Sequence, residues 1–444
     1  MARPAAAWQR RTAALVACAA TSLVPIAGVV FLFRHLPALI GAIALSVASI
    51  AALWFAVTRK GVLRLAGLLL ALAMFAAALV VLAVDGAFVD LLVVAGLLVV
   101  ALVAARLAIG GDRRRVAARA AGWRPTPTPG RAVLLMNPHS GGGKVERFDL
   151  VHEAQRRGIE PVVMARGDDL AELARAALAR GADVLGMAGG DGSLAVVASI
   201  AAAHDVAFVA VPAGTRNHFA LDVGVDRDDV VGALDAFSGL ERRVDLGRVN
   251  GRAFLNNVSL GIYATIVQSP DYRDAKAGTV ARLLPDLLGP AAAPFDLHFA
   301  GPDGRPCDDS QLVLVSNNPY RFERLEEVSR PRLDGGGLGV VAAAIAGPAE
   351  AARFVALEVA GRLRRFSGWS EWQAPALRID SARPIKAGID GEAAELDPPL
   401  LFSIEPLALR VRVAARHPGA SPAAAPPWLS GQTFLDLLHS AFDG

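Results

Sequence analysis

A run of three glycines and one carboxylate near the middle of the chain, Gly189-Gly190-Asp191-Gly192, has the residue types of a phosphate-binding turn. It follows the apolar residues 184–188 and precedes the Ala/Val-rich residues 193–203, so we expect it at a strand-to-helix junction. Glycines let backbone N–H groups approach an anion closely, and the first helical turn adds donors and the positive end of its dipole. Because Asp191 would repel phosphates unless a cation lay between them, the run predicts magnesium-nucleotide chemistry. An ordinary tight turn has the same composition, so the neighbouring segments must decide.

Two further glycine-containing loops follow predicted strands. Residues 137–144 come after the apolar residues 132–136, and residues 212–217 come after residues 206–211. Between and beside them, helix and strand patterns alternate at residues 145–157, 159–164, 170–181 and 193–203. This alternation predicts a parallel sheet with helices on both faces. Since ligands bind at the carboxyl ends of the strands in such sheets, the three loops are expected to share one edge.

Two common nucleotide-binding motifs are absent from the sequence. Lys144 is not followed by Ser or Thr, and Pro138 stands five positions before Gly143, so the first loop is not a Walker A motif. No G-x-G-x-x-G run opens the unit, which argues against a dinucleotide-dependent oxidoreductase.

Beyond residue 243 the pattern changes to short extended runs separated by Gly and Pro. They predict a mostly antiparallel β domain, with strands at residues 244–249, 253–260, 295–299, 312–316, 338–342, 377–379, 385–389 and 407–413. A helix is predicted at residues 349–366, and the tail after His417 holds a short apolar segment, residues 428–442. Asp390-Gly391-Glu392 follows one predicted strand, where by itself it is typical of a charged hairpin turn.

The first quarter of the chain is apolar. Segments of about 20 nearly uncharged residues predict four transmembrane helices, at residues 12–33, 37–57, 65–84 and 87–109. Basic residues concentrate before the first helix, between the second and third, and after the fourth, namely Arg3, Arg10, Arg11, Arg59, Lys60, Arg64, Arg113, Arg114, Arg115 and Arg119. The positive-inside tendency therefore places both termini, and everything after residue 110, in the cytoplasm.

The remaining composition excludes several classes. Cys18 and Cys307 give neither a disulfide framework nor a metal-ligand spacing. Arginines beside anionic lipid headgroups account for the basic pI of about 9.1, and no basic motif interleaved with aromatic residues is present, so no nucleic-acid partner is expected. The oligomeric state is left open, a homodimer included.

Five motifs occur in the order and approximate spacing of the diacylglycerol kinase catalytic-domain family, which the chain therefore resembles. They are Asn137-Pro-x-Ser-Gly, Gly189-Gly-Asp-Gly, Pro212-x-Gly-Thr-x-Asn, Phe254-Leu-Asn-Asn-x-Ser-x-Gly and Asp390-Gly-Glu. The resemblance covers about residues 130–413. It implies a fold related to NAD kinases and phosphofructokinases, and an enzyme that uses ATP and Mg²⁺ to phosphorylate a lipid hydroxyl.

The resemblance also implies roles for single residues. Those implied to bind the nucleotide are Asn137, Ser140, Gly141, Gly189, Gly190, Asp191, Gly192, Ser193, Gly214, Thr215 and Asn217. Asp191 is also implied to be catalytic and to act on Mg²⁺ through the phosphates. Glu392 is the candidate base toward the lipid hydroxyl, with Asp390 as its partner. Phosphoryl transfer relies mostly on positioning and charge neutralisation, and a carboxylate beside the attacking hydroxyl accepts its proton.

Two positions depart from the family pattern. His218 stands where the family commonly has Asp, and Asp334-Gly335-Gly336-Gly337 has one carboxylate fewer than the family's structural magnesium loop often has. These departures motivate a second hypothesis, a catalytically weak nucleotide-binding membrane sensor or scaffold. A third, a soluble-substrate kinase of the NAD type, gives no reason for the membrane helices.

The sequence thus predicts a membrane-anchored ATP-dependent lipid kinase with a diacylglycerol-like substrate, in the inner (plasma) membrane. The predicted fold is an all-α transmembrane region of four helices, then an α/β three-layer nucleotide-binding domain, then a mostly antiparallel β-sandwich domain. The predicted boundaries are residues 1–111 for the membrane region, 112–130 for a basic, Pro-rich linker, 131–243 for the nucleotide-binding domain, 244–415 for the lipid-substrate domain and 416–444 for the tail.

Overall fold

The computed structural model describes residues 7–58, 62–120, 122–262, 264, 295–321, 328–345, 350, 353–354, 357 and 362–424. The chain divides into two compact units near residue 113. The predicted apolar segment at residues 428–442 lies outside the described residues.

The described part of the first unit is helical. It contains α1 (Ala7–Thr58), α2 (Val62–Val84) and the start of α3 (Ala87–Ala120). Within residues 7–120, three helical stretches are long and apolar enough to cross a membrane: Arg11–Leu53, Leu65–Val84 and Ala87–Ala105. These helices indicate membrane association.

The number of helices differs from the prediction, because α1 runs without a break through both of the first two predicted spans. Pro25 and Pro37 lie inside it, and so does the predicted loop at Arg34 and His35. The helix continues through both prolines, and the polar groups find partners within the unit. His35 is buried and its ring bonds Asp85 and Asp90, while Arg34 pairs with Asp90 at 3.1 Å. The predicted count of four helices is therefore not confirmed.

The second unit alternates strands and helices in its first half. In chain order these are β1 (Arg124–Pro125), β2 (Ala132–Met136), α4 (Lys144–Arg147), α5 (Leu150–Arg156), β3 (Glu160–Val163), α6 (Leu170–Ala179), β4 (Val184–Ala188), α7 (Asp191–Ala203), β5 (Ala207–Val211), α8 (His218–Asp222) and β6 (Leu240–Val249). The predicted helix at residues 145–157 is interrupted, since Asp149 adopts a left-handed conformation with φ 47° between α4 and α5.

Strands dominate the second half. They are β7 (Arg252–Phe254), β8 (Asn257–Gly261), β9 (Phe299–Ala300), β10 (Pro306–Cys307), β11 (Ser310–Ser316), β12 (Leu338–Ala344), β13 (Trp369–Ala374), β14 (Ala376–Ile379), β15 (Ile385–Ile389), β16 (Glu392–Leu396) and β17 (Leu400–Val413). Of the predicted helix at residues 349–366, the described residues 350, 353, 354 and 357 are helical, whereas its end is not: Leu363–Arg365 form a 3₁₀ turn, and residues 362 and 366 lie outside any helix. The predicted strand at residues 295–299 is strand only at Phe299.

The first sheet positions the candidate site. Among the described strands its order is β1-β6-β17-β5-β4-β2-β3, with β14 beside β17 and β7 beside β6. Neighbouring strands from β3 through β2, β4 and β5 to β17 run parallel. All five residues of β2, β4 and β5 are buried, as is typical of strands covered on both faces. The predicted parallel sheet is therefore present.

The second sheet is antiparallel, in the order β13-β12-β11-β8-β15-β16 over the described residues. Its inner residues, Val258, Leu260 and Val313 among them, form one core with Phe254 and Phe402 of the first sheet. The first sheet also crosses the predicted domain boundary at residues 243/244. Its strand β17, from the predicted second domain, lies between β6 and β5, and β5 belongs to the predicted first domain.

Candidate active site

The three predicted loops lie in contact at the carboxyl edge of β2, β4 and β5. Gly141 of the first loop, with φ 55°, lies so close to the third that a Cβ there would overlap the carbonyl oxygen of Ala213. A Cβ on Gly214 of the third loop would lie 2.5 Å from the Cα of Gly190 in the second. Only residues without a Cβ permit these approaches. The glycines therefore let the three loops meet as well as shaping each one.

Lys144 also ties the first loop to the third. Its Nζ donates to the carbonyl oxygens of Pro212 at 3.2 Å and Gly214 at 3.0 Å. Burial, aided by the neighbouring Arg147, lowers the pKa of Lys144. Lys144, which is not part of a Walker A motif, thus links the first loop to the third.

Asn137 and Asn217 shape the loops from within. Asn137 accepts the N–H of His139 at 3.0 Å through its side chain. Asn217 is buried, with φ 53°, and its amide both accepts from the N–H of Gly214 at 3.0 Å and donates to the Gly214 carbonyl at 2.9 Å. The Asn217 amide is therefore occupied at both ends by its own loop, whereas the bond of Asn137 uses only its Oδ1.

Each loop also carries one hydroxyl group. These belong to Ser140, Ser193 and Thr215, of which Thr215 is exposed and the two serines are half-buried. Within the described residues none of the three hydroxyls has a hydrogen-bond partner. The edge therefore offers unpaired hydroxyls together with the start of α7, a combination suited to an anion.

Asp191, the first residue of α7, is buried and holds α8. Its Oδ2 accepts the N–H of His218 at 3.0 Å and its Oδ1 accepts that of Phe219 at 3.1 Å. His218, which stands where the family commonly has Asp, contributes only its backbone N–H to this contact. The contact therefore does not depend on which side chain this position carries. A carboxylate has about four acceptor positions, so Asp191 keeps acceptor capacity toward a cation.

The Asp390-Gly391-Glu392 turn joins β15 to β16 and brings two carboxylates to the cleft in different ways. Asp390 is buried, and its Oδ2 accepts the N–H of Leu255 at 2.8 Å. Its Oδ1 accepts those of Asn256 at 2.7 Å and Asn257 at 3.1 Å. Burial raises the pKa of Asp390 to about 7, whereas the three N–H donors oppose that shift.

Glu392 is exposed and reaches the second loop. A Cβ on Gly192 would overlap its carboxylate, so the two residues are in immediate contact across the cleft. In the described structure no hydrogen bond joins Glu392 to Asp390. Asp390 instead fixes residues 255–257, which accounts for the interruption of the predicted strand at residues 253–260.

The glycine-rich loop at Asp334 is held by protein groups. Gly336 donates its N–H to Asp245 Oδ2 at 2.7 Å, and Gly335 donates to Asn318 Oδ1 at 2.8 Å. Asp334 itself pairs with Arg332 at 3.0 Å. Among the residues that the structure describes, no three His, Cys, Asp or Glu side chains gather as a metal site.

Sequence reasoning missed Asp222 and Arg330, which form a buried ion pair at 2.7 Å beneath the cleft. They are 108 positions apart. No local pattern could have indicated their pairing, because only the fold brings them together.

Comparison with known proteins agrees with this architecture. Residues 131–249 match the family described as diacylglycerol kinase catalytic domain. A diacylglycerol kinase of Bacillus subtilis (strain 168) is 26% identical over 274 residues, which are 59% of this chain and 89% of that protein. One of Staphylococcus aureus (strain bovine RF122 / ET3-1) is 28% identical over 275 residues, 59% of this chain and 86% of the relative.

A solved structure shares the fold. The crystal structure of a candidate diacylglycerol kinase from Bacillus anthracis str. Sterne aligns with a TM-score of 0.51 at 17% identity, over 65% of this chain and 99% of that one. The relatives support a kinase function, and the family indicates a lipid acceptor. The family match over residues 131–249 and the relatives named diacylglycerol kinase confirm the resemblance that the five motifs predict.

Proposed function

We propose that the chain is a membrane-anchored lipid kinase that transfers the γ-phosphate of ATP to the hydroxyl of a diacylglycerol-like lipid. One observation carries the proposal: three glycine loops meet at one sheet edge, and the carboxylate of Glu392 lies against the middle loop at Gly192. Phosphoryl transfer needs an anion site and an acceptor base side by side, and this arrangement supplies both.

The loops bind the triphosphate in this proposal. The backbone N–H groups and hydroxyls that face it belong to Ser140, Gly141, Gly189, Gly190, Gly192, Ser193 and Thr215. Gly214, whose N–H donates to Asn217, contributes by letting the third loop approach the second. Asn137 and Asn217 act by holding their loops in shape, as their hydrogen bonds support.

Glu392 is the base. The oxygen of the lipid hydroxyl attacks the γ-phosphorus, the bond from that phosphorus to the bridging oxygen breaks, and ADP leaves. The hydroxyl proton passes to the Glu392 carboxylate. Asp390 supports this step by fixing residues 255–257 beneath the turn that carries Glu392.

Mg²⁺ fits the donor set. Proteins commonly hold this ion through one or two carboxylates together with substrate phosphates, and Asp191 offers such a carboxylate at the start of α7. The ion, when bound, neutralises phosphate charge. Asp191 would hold it while its hydrogen bonds to α8 keep the carboxylate oriented.

The apolar helices supply the anchor. A water-insoluble acceptor is confined to the bilayer, so anchoring raises its effective concentration for the enzyme. We also propose four crossings of the inner (plasma) membrane, with both termini in the cytoplasm. The three clusters of basic residues lie on one side only if residues 11–53 cross twice, which requires α1 to turn back at Arg34 to Pro37 in the membrane. The 43 residues suffice for two crossings, since they span about 65 Å as a helix, roughly two hydrocarbon thicknesses.

The test uses the full chain in nanodiscs made of total membrane lipids, with γ-labelled ATP and Mg²⁺, followed by identification of the labelled lipid by mass. We expect label in one glycerolipid class for the wild type and at least about 100-fold less for Glu392→Gln. Glu395→Gln is the matched control, because Glu395 lies on the same strand, is exposed and pairs with Lys386 in register.

Three outcomes would contradict the proposal or one of its assignments. Nucleotide binding without label in any lipid would favour a sensor or scaffold, and label in added NAD would favour a soluble-substrate kinase. Equal loss of label in both variants would remove Glu392 from its assigned role.

A further inference from the structure

A buried ion pair beneath the cleft has no part in the proposed reaction. The side chains of Arg330 and Asp222 are 0% and 1% exposed, and their charged groups lie 2.7 Å apart. Two charges in a protein interior are tolerated only where every donor and acceptor is satisfied. What Arg330 binds therefore shows what the pair holds in place.

All five guanidinium N–H groups of Arg330 are used. Nε donates to Asp222 Oδ2 at 2.7 Å, and one Nη donates to the carbonyl oxygens of Leu255 and Asn317, both at 2.6 Å. The other Nη donates to Asn256 Oδ1 at 2.9 Å and pairs with Asp222. Only arginine has five donors in a fixed fork, so lysine cannot reproduce this set.

One side of this network is α8. Asp222 is the last residue of α8, and it also accepts the backbone N–H of Arg330 at 2.9 Å. The first two residues of the same helix, His218 and Phe219, donate their N–H groups to Asp191. The helix is thus fixed at its start by the phosphate-binding loop and at its end by Arg330.

The other side is the segment 255–257. Arg330 donates to the Leu255 carbonyl and to the Asn256 side chain. Asp390 accepts the backbone N–H groups of Leu255, Asn256 and Asn257. This segment therefore lies between Arg330 and the turn that carries Glu392. A continuous chain of hydrogen bonds runs from Asp191 through α8 and Arg330 to Asp390.

We infer that Arg330 is a positioning residue that, with Asp222, fixes the distance between the phosphate-binding loops and the Asp390–Glu392 turn. This inference rests on the proposed function. The Arg330 side chain is fully buried, so it acts through the segments that it holds, namely α8, residues 255–257 and the carbonyl of Asn317.

The test compares Arg330→Lys and Asp222→Asn with Arg412→Lys in the full chain in lipid nanodiscs. Arg412 of β17 is the matched control, a 5% exposed arginine that pairs with Glu241 of β6 and donates to the Phe237 carbonyl just before that strand. We expect kcat per folded molecule to fall about 10- to 100-fold in the two cleft variants, since a shift of about 1 Å costs that much. The KM for ATP should stay within about twofold, because the three loops keep their own contacts, and Arg412→Lys should keep both constants. Asp222→Asn, which retains the shape of the side chain, serves if Arg330→Lys does not fold.

A second readout does not depend on turnover. Hydrogen exchange of the peptide containing residues 255–257 should slow when the wild type binds AMP-PNP and Mg²⁺, and this protection should vanish in Arg330→Lys but persist in Arg412→Lys. Unchanged kcat in both cleft variants, or protection that persists in Arg330→Lys, would overturn the inference. A wild type that labels no lipid would instead contradict the proposed function, and the exchange result would still decide the role of Arg330.

Discussion

Replacing Gly214 with alanine should separate the second and third loops. The new Cβ would lie 2.5 Å from the Cα of Gly190, 2.9 Å from the carbonyl oxygen of Gly189 and 2.8 Å from Asn217 Oδ1. Non-bonded carbon atoms pack at about 3.5–4.0 Å, so the loops must move apart by about 1 Å. Two of the three obstacles are backbone atoms, which cannot rotate away.

The magnitude follows from that displacement. Overpacking of this kind costs about 1–3 kcal/mol of stability. A displacement of about 1 Å at a phosphoryl-transfer site lowers the rate roughly 100-fold. Gly214→Ala should therefore have a lower melting temperature and a kcat/KM reduced by about two orders of magnitude.

Gly190→Ala is the matched comparison. Its Cβ would meet no atom within 4 Å, and φ −86° is open to alanine, so the free protein should melt as the wild type does. The methyl group would instead keep a phosphate from the backbone and raise the KM for ATP. Thermal unfolding with and without AMP-PNP, together with steady-state kinetics, measures both effects. Wild-type kinetics for Gly214→Ala, or unchanged nucleotide affinity for Gly190→Ala, would refute the role assigned to the loops.

Three further predictions concern other parts of the chain. Lys144→Met removes two hydrogen bonds between loops and should lower the free energy of unfolding by about 2 kcal/mol, as measured by denaturant titration, with Lys386→Met as an exposed control that should change it little. Burial raises the pKa of Asp390 to about 7, so its carboxylate is fully charged only above that pH. The kcat of the wild type should therefore fall as the pH drops through about 7, and this fall should be smaller in Asp390→Asn. An identical pH profile of kcat in both proteins would contradict this. In a cysteine-free background, Leu36→Cys should react with an impermeant maleimide from outside the cell and Lys60→Cys only after permeabilisation; protection of position 36 would rule out a double crossing by α1.

The strands and loops of the first sheet could be predicted because their signals are local. β2, β4 and β5 are continuous apolar runs, and each ends at a glycine-containing loop. A parallel sheet brings such ends to one edge, so the meeting of the loops follows from the pattern. The close approach at Gly141 and Gly214 could not be predicted, since it depends on atoms of other loops.

The place of β17 depends on long-range pairing. Residues 407–413 look like one more extended run, but in the structure Val411 pairs with both Phe208 and Arg242. The strand also begins seven residues earlier than predicted, at Leu400, and continues past a register shift between Glu405 and Leu409. Nothing within the segment indicates that it returns to the first sheet.

The buried polar groups were the hardest to predict. Asp390 and Glu392 look alike in sequence, yet one is enclosed by backbone N–H groups and the other is exposed. Arg330 lies near Arg332 in a stretch typical of a solvated surface, and its partner is far away in sequence. Similarly, the partners that keep Arg34 and His35 within a continuous helix lie about 50 positions later.

The most direct test of the proposed site is an experimental structure of the full chain with AMP-PNP and Mg²⁺. We expect the triphosphate within hydrogen-bonding distance of the N–H groups of Gly189 to Gly192 and of the Ser140 hydroxyl, with the γ-phosphate beside Glu392. A triphosphate bound away from these loops, or a γ-phosphate with Glu392 turned out of the cleft, would contradict the account.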